Sequence, residues 1–172
     1  AAVEAARRRG PGFRMLEIGA GTGGTTADVL TGLGRLETEV EYHFTDISAA
    51  FVSRGRKIFE GRGSNVSMRF ERLDVERLPA EQGFQPGSCS VVLAANVLHA
   101  TRRIDRSLAS IRSLLEPGGL LLLGELTRSG AFGTLTYGLL EGWWAFEDPE
   151  IRRPHSPLLT GENWSHALRE AG

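Results

Sequence analysis

Glu17-Ile18-Gly19-Ala20-Gly21-Thr22-Gly23-Gly24 joins an apolar run, Phe13–Ile18, to an amphipathic pattern over about Thr25–Leu36. A short apolar run followed by a 3.6-residue period reads as strand, tight turn, helix. Glycines 19, 21 and 24 keep the spacing G-x-G-x-x-G, and Asp46 stands 22 residues beyond Gly24 at the end of the next apolar run. Glycine lets such a loop turn sharply and lets its backbone touch a ligand. A strand-to-helix turn with no ligand has the same local pattern. The acid closing the second strand tilts the reading toward a bound nucleotide-like molecule, whose ribose hydroxyls it can accept from.

The alternation continues outward. Glu41–Asp46, Ser67–Leu73, Ser90–Asn96 and Leu120–Leu126 read as further strands, and Ala49–Glu60 and Arg103–Leu115 as helices. In the second helix Ile104, Leu108, Ile111 and Leu115 recur along one face, and Pro117-Gly118-Gly119 reads as its stop. Residues 1–12 read as a linker or helix end, with Arg7-Arg8-Arg9 followed by the breakers Gly10, Pro11 and Gly12. A segment rich in glycine and aromatics, Ser129 to Pro157, interrupts the alternation before a last helix from Gly161, with Thr160 as N-cap and Gly172 as stop. Apolar strands alternating with helices predict an α/β fold, a parallel sheet covered on both faces. Ligands then bind beyond the carboxyl ends of the strands. The strand carrying Leu120–Leu123 would leave an apolar outer edge, so the chain is expected to be an excerpt whose parent covers that edge with further strands.

The whole of 172 residues fits one domain, with 41% hydrophobic and 24% charged residues. Lys plus Arg number 20 against 21 for Asp plus Glu, a net charge of -1, which disfavours a nucleic-acid partner. No apolar run approaches a membrane span. A single cysteine, Cys89, excludes an intrachain disulfide and a multi-thiolate metal site, and fits a reducing, cytoplasmic setting with no metal.

Charge separates two classes of ligand for the glycine loop. A pyrophosphate wants a helix N-terminus free of carboxylates. Here Glu17, Asp46 and Asp74 mark the ends of the first three strands. S-adenosylmethionine (SAM), with a sulfonium and an ammonium against one carboxylate, suits acidic strand ends by Coulomb attraction. Glu17–Gly24, Asp46 in Phe44-Thr45-Asp46-Ile47-Ser48, Asp74-Val75 and Leu115-Glu116-Pro117-Gly118-Gly119 resemble the successive motifs of class I SAM-dependent methyltransferases. Ala95-Asn96-Val97-Leu98-His99-Ala100-Thr101, Gly124-Glu125, Gly142-Trp143-Trp144 and Ser156-Pro157-Leu158-Leu159 resemble, more narrowly, the C-methyltransferase domains of modular polyketide synthases.

The resemblance implies a Rossmann-like sheet in which residues 13–172 form the cofactor core. The family's C-terminal antiparallel hairpin and N-terminal lid are missing from this sequence, so residues 1–12 would be a linker or the end of the lid. It implies SAM held by Glu17, Gly19, Ala20, Gly21, Thr22, Gly23, Asp46, Ile47, Asp74, Val75 and Asn96. It also implies partners: an acyl carrier protein bearing a phosphopantetheine-linked β-ketoacyl chain, and neighbouring synthase domains in the same polypeptide. Methylation of the α-carbon of such a chain needs a base, and histidine can accept a proton near neutral pH. His99 lies just past the fourth strand and Glu125 just past the fifth, so the two can meet above the sheet. A carboxylate on one ring nitrogen fixes the tautomer and steadies the imidazolium. In the family a His–Glu pair has this role.

Plainer alternatives stand beside each assignment. His99 can merely shape the pocket, Glu125 can bind loop amides, and Asn96 can cap the next helix. Ile47 can be ordinary core, while Trp143, Trp144 and Phe146 wall an acyl tunnel or only pack. His43, His155 and His166 read as surface or packing residues. The arginine pairs at 102–103 and 152–153 read as solvated charge, or else as a surface for an acidic carrier. O- or N-methylation in a related assembly line and a non-catalytic SAM-fold module are the competing functions.

Overall fold

The computed structural model describes residues 2–9, 12–128, 135–139 and 141–172. Residues 1, 10, 11, 129–134 and 140 lie outside the described residues, and with them two of the N-terminal breakers and part of the aromatic segment. So do the side chains of residues 2, 3, 7, 9 and 141. The chain runs α1 (Ala2–Arg9), β1 (Phe13–Ile18), α2 (Gly24–Leu33), β2 (Val40–Asp46), α3 (Ala49–Phe59), β3 (Val66–Arg72), β4 (Cys89–Ala95), α4 (Ile104–Leu114), β5 (Leu115–Gly124) and α5 (Gly161–Ala171). All strand pairs are parallel, in the order β3-β2-β1-β4-β5. The chain therefore leaves β1 in one direction for β2 and β3, then crosses back to the other side for β4. The carboxyl ends of β1 and β4 flank the resulting switch point, where an open parallel sheet forms its crevice.

Side-chain alternation sends each central strand's apolar residues to both faces. Phe13, Met15, Tyr42, Val91 and Leu93 pack with Ala5 and Ala6 of α1 and Leu33 of α2. Farther along that face Phe44 and Phe70 meet Phe59 of α3. On the other face Leu16, Ile18, Val92 and Ala94 meet Ile104, Leu108, Ile111 and Leu114 of α4 and Trp164 of α5. Truncating one of these fully buried α4 side chains to alanine costs about 2–5 kcal/mol on the usual scale for core leucine and isoleucine.

Of the two readings of the start, linker or helix end, residues 2–9 follow the second: Ala5 and Ala6, nearly inaccessible, dock α1 on the core. Small alanines leave little apolar signal in sequence but permit close approach. One expectation changes, since Pro117-Gly118-Gly119 does not lie between α4 and the next strand. Leu115, expected in the helix, already has extended backbone and pairs with Cys89, and the Pro-Gly-Gly residues bulge within β5 before pairing resumes at Val91–Leu120. Helical backbone is disfavoured at Glu116, the residue before a proline, so the helix stops early. Gly118 takes φ 72°, and a Cβ on Gly119 would lie 2.9 Å from the Glu116 carbonyl oxygen. Among the described residues β5 ends the sheet, and its Leu120 is 48% exposed, in line with the expected edge.

Candidate active site

The glycine loop leaves β1 with φ of 61°, 56° and 83° at Gly19, Gly21 and Gly23. At Gly19 a Cβ would stand 2.3 Å from Val97 Cγ2, and at Gly23 one would stand 2.4 Å from the Phe59 ring. These two glycines are needed for packing, because loop backbone lies directly on neighbouring side chains. Gly21 is different. A Cβ there would meet only the Gly19 carbonyl oxygen, at 3.8 Å, so the space beside it is open. Ala20 is fastened by its N–H to the Thr45 carbonyl, and Thr22 is exposed on the loop. Gly23 begins α2 with no side-chain cap and no acid in the first turn, leaving the positive end of the helix for a carboxylate-bearing ligand.

Asp46 closes this loop from β2. Its Oδ2 accepts from the Gly21 N–H at 2.9 Å and its Oδ1 from the Ser48 N–H at 2.8 Å. Each carboxylate oxygen keeps a further lone pair for a ligand hydroxyl. Beside it, Gly19, Ile47, Asp74, Val75 and Val97 line a slot of about 140 Å3. Ile47 is 58% exposed at its mouth, which rules out the ordinary-core reading. The Asp74 backbone is held on both sides by Gln82, whose Oε1 accepts from the Asp74 N–H and whose Nε2 donates to the Asp74 carbonyl, each at 2.8 Å. The slot's apolar walls and the acid among them suit the adenine end of SAM. A larger groove of about 770 Å3 lies apart from this loop, between α4, α5 and the outer edge of β5.

Glu17 occupies a different place from the one its position in the motif predicts. Its side chain lies inside, with Oε2 accepting from both Thr26 and Tyr42 hydroxyls at 2.6 Å. Burial pushes the Glu17 carboxyl above its usual range, partly offset by those two hydroxyls, and pushes the Tyr42 phenol far above its own. Glu17 thus ties β1, β2 and α2 together; the acids that line the slot are Asp74 and Glu76, and Asp46 stands beside it on the glycine loop.

Past β4 the chain turns sharply at Asn96, whose φ is 53°. Asparagine tolerates this left-handed backbone better than most residues. Its side-chain oxygen accepts from the Leu126 N–H at 3.1 Å, joining the ends of β4 and β5. A one-turn 3-10 helix, Leu98–Ala100, then presents His99. His99 Nδ1 lies 2.6 Å from Glu125 Oε2, with Glu125 nearly inaccessible and the His99 side chain 10% exposed. The other Glu125 oxygen accepts from the Val97 and Leu98 N–H groups at 2.9 and 2.8 Å. A carboxylate taking two amide bonds is an acceptor, so Nδ1 is the donor toward it, and in the neutral ring this leaves the lone pair on Nε2. Val97 is shared, because it lines the slot, packs on Gly19 and binds Glu125 through its N–H. The histidine pair and the glycine loop are therefore neighbours across Val97.

The remaining sequence assignments divide. Trp143 stands edge-on to the His99 ring at 5.9 Å and stacks on Tyr137 at 5.6 Å. Trp144 is exposed and donates to the Gly138 carbonyl. Arg102 and Arg103 pair with Glu147 and Asp105 at the surface. Arg152, expected as solvated charge, is instead fully buried beside Asp148. His155 and His166 are exposed, and His43 lies between Glu41 and Glu71 on β2, away from the slot. Cys89 is buried, which pushes its thiol up and away from reactivity. Among the described residues no group of acids, histidines and cysteine is placed to hold a metal ion, and no helix is long and apolar enough to cross a membrane. Val97 and Gln82 are neighbours of the site that sequence reasoning did not single out. Val97 sat inside a quoted motif; Gln82 carried no signal.

Known proteins bear on this geometry in three ways. A family model described as a methyltransferase domain matches residues 16–121. Polyketide synthase ThaG of Burkholderia thailandensis is 44% identical over 172 residues, 99% of this chain and 3% of its own length. Among solved structures, the DszA carbon methyltransferase is 45% identical with a TM-score of 0.87, covering 96% of this chain and 42% of its own. The trans-methyltransferase CalH, solved in complex with SAH, is 39% identical with a TM-score of 0.83, covering 99% of this chain and 47% of its own. The chain thus spans a small part of ThaG and under half of either structure.

Proposed function

The chain belongs to the methyltransferase-domain family, and from that premise we propose that it is a SAM-dependent C-methyltransferase core acting on the α-carbon of a β-ketoacyl thioester carried by an acyl carrier protein within a polyketide synthase. The observation that carries this reading is the 2.6 Å bond from His99 Nδ1 to Glu125, close beside the slot-lining Val97. When bound, SAM supplies a methyl group on a cationic sulfur that departs as a neutral thioether. Because the leaving group is already good, the protein's work is positioning and removal of one carbon-bound proton. The α-hydrogen of a β-ketoacyl thioester is acidic enough for an imidazole. His99 Nε2 takes that proton, the C–H electron pair becomes available to form the new C–C bond, and Glu125 steadies the imidazolium through Nδ1–H. Asp46 and the Gln82-braced Asp74 hold the nucleoside portion, and Gly21 lets the loop backbone come close. Trp143, edge-on to His99, limits water around the base and forms part of the acyl wall.

Mass spectrometry on the intact polypeptide tests this directly. Incubation of a carrier-bound β-ketoacyl chain with SAM should add one methylene's mass to the α-carbon. Methyl found on oxygen would move the chain to the O-methylating reading. His99→Ala should bind SAM as the parent does and lose transfer to a β-ketoacyl pantetheine mimic; parental turnover would remove His99 as the base.

A further inference from the structure

Arg152 is a polar residue deep in the structure that neither the glycine loop nor the histidine pair requires. Its side chain is fully inaccessible and that of its partner Asp148 nearly so. Nη1 donates to the His99 carbonyl at 2.6 Å and to the Pro157 carbonyl at 2.8 Å, Nη2 donates to the Thr101 carbonyl at 2.8 Å, and Nε donates to Asp148 Oδ1 at 2.5 Å. Asp148 Oδ2 in turn accepts from the Ile104 N–H at 2.8 Å, at the start of α4. The guanidinium's outer face packs on the Phe146 ring, 5.0 Å from its centroid. Burying an ion pair is costly and is tolerated when its remaining donors and acceptors find partners; here four of the guanidinium's five N–H groups and both Asp148 oxygens are bonded. What is unusual is where the bonds go. They grip the main chain at residues 99, 101 and 104, the stretch on which the His99 ring is mounted. Glu125 grips the same stretch from its other end, through the N–H groups of Val97 and Leu98.

From this we infer that Arg152, held by Asp148, is a positioning residue for the His99 base: it fixes the main chain that carries the ring, and does not touch the reacting atoms. The inference rests on the reading of His99 as the base. Glu125 sets the ring's tautomer and the upstream backbone, and Arg152 sets the downstream backbone. The direction of Nε2 is therefore fixed from two sides, by a strand end and by a segment far along the chain. A lysine at 152 keeps the charge beside Asp148 but cannot bridge three carbonyls, because its donors radiate from a single nitrogen.

The test is Arg152→Lys in the intact enzyme, with His99→Ala alongside. The expected result is kcat lower by about 10²-fold, the scale for displacing a catalytic group by an ångström. KM and Kd for SAM should stay within twofold and the melting temperature within a few degrees. A kcat within twofold of the parent would overturn the inference, and so would a fall in kcat matched by an equal loss of SAM affinity, which marks general loosening. If the lysine variant does not fold, Asp148→Asn replaces it. That change leaves the three carbonyl bonds but slackens the anchor, and should lower kcat several-fold at unchanged SAM affinity; no change in kcat would overturn the inference. The parallel variant separates the two failures: an active His99→Ala defeats the base assignment itself, whereas an inactive His99→Ala beside a fully active Arg152→Lys defeats only the role of Arg152.

Discussion

Replacing Glu125 by glutamine keeps the side chain's shape and removes its charge, and the surrounding donors determine the outcome. Three hydrogen-bond donors converge on the carboxylate: the Val97 and Leu98 N–H groups on Oε1 and His99 Nδ1 on Oε2. An amide has one oxygen and one NH2, so the glutamine side chain must choose. With its oxygen toward the two backbone amides, both stay satisfied and the NH2 faces Nδ1, which can then only accept. The ring proton moves to Nε2 and the base is lost. With its oxygen toward Nδ1 the useful tautomer survives, but the NH2 opposes two backbone donors in a nearly closed site. Each buried donor left unsatisfied costs about 1–3 kcal/mol, so the useful arrangement lies about 2–6 kcal/mol higher. At about 1.4 kcal/mol per factor of ten, its population falls by about 30-fold to 10⁴-fold. Methyl transfer to a β-ketoacyl pantetheine mimic by Glu125→Gln should fall by that range, with SAM affinity by calorimetry within twofold of the parent. The nitrogen shifts of labelled histidine should show the proton on Nε2 at neutral pH. Turnover within threefold of the parent, or a proton still on Nδ1, would refute the reasoning.

At Gly21 the open space beside the loop allows a side chain without a packing clash, so Gly21→Leu should fold with a loss of about 1–2 kcal/mol from left-handed backbone. Calorimetry should nevertheless find no SAM binding, and unchanged affinity would take the loop out of the site. Glu17 has a folded-state pKa raised by burial, so its contribution to stability is fully present below its ordinary pKa and is lost as pH rises through the higher folded value. Glu17→Gln, whose amide oxygen can still accept from Thr26 and Tyr42, should therefore unfold at a higher denaturant concentration than the parent at pH 7, and the difference should shrink as pH falls below the carboxylate range. A variant less stable than the parent at pH 7 would show that the charged form is favoured there.

Much of the fold was legible because the signals were local and each element agreed with its neighbours. The spacing of Ile104, Leu108 and Ile111 is the buried face of α4, and the strand runs fall within a residue or two of β1 to β4. Where reading failed, tertiary contacts overrode a local rule. Pro117-Gly118-Gly119 reads as a stop in isolation, yet β4 offers a ladder that Leu115 joins before the bulge. Arg152 beside Arg153 reads as solvated charge, because nothing in sequence shows that three carbonyls and Asp148 will surround it.

The histidine pair was legible for a geometric reason. In a parallel sheet, residues just beyond adjacent strands emerge on the same edge. β4 and β5 pair as far as Ala95–Gly124, so the chain leaves both strands level, with Glu125 one residue past its strand and His99 four past the other. The left-handed turn at Asn96 and the short helix after it bring His99 back over Glu125. The sheet thus places the carboxylate and the turn places the imidazole. A change that flattens the turn at Asn96 should uncouple the two even with both residues intact. Asn96→Val tests this, since β-branched residues resist positive φ and valine lacks the oxygen that binds Leu126. Its histidine spectrum should lose the Nδ1–H signature of the bonded ring; retention of that signature, with parental turnover, would show that the sheet edge alone aligns the pair.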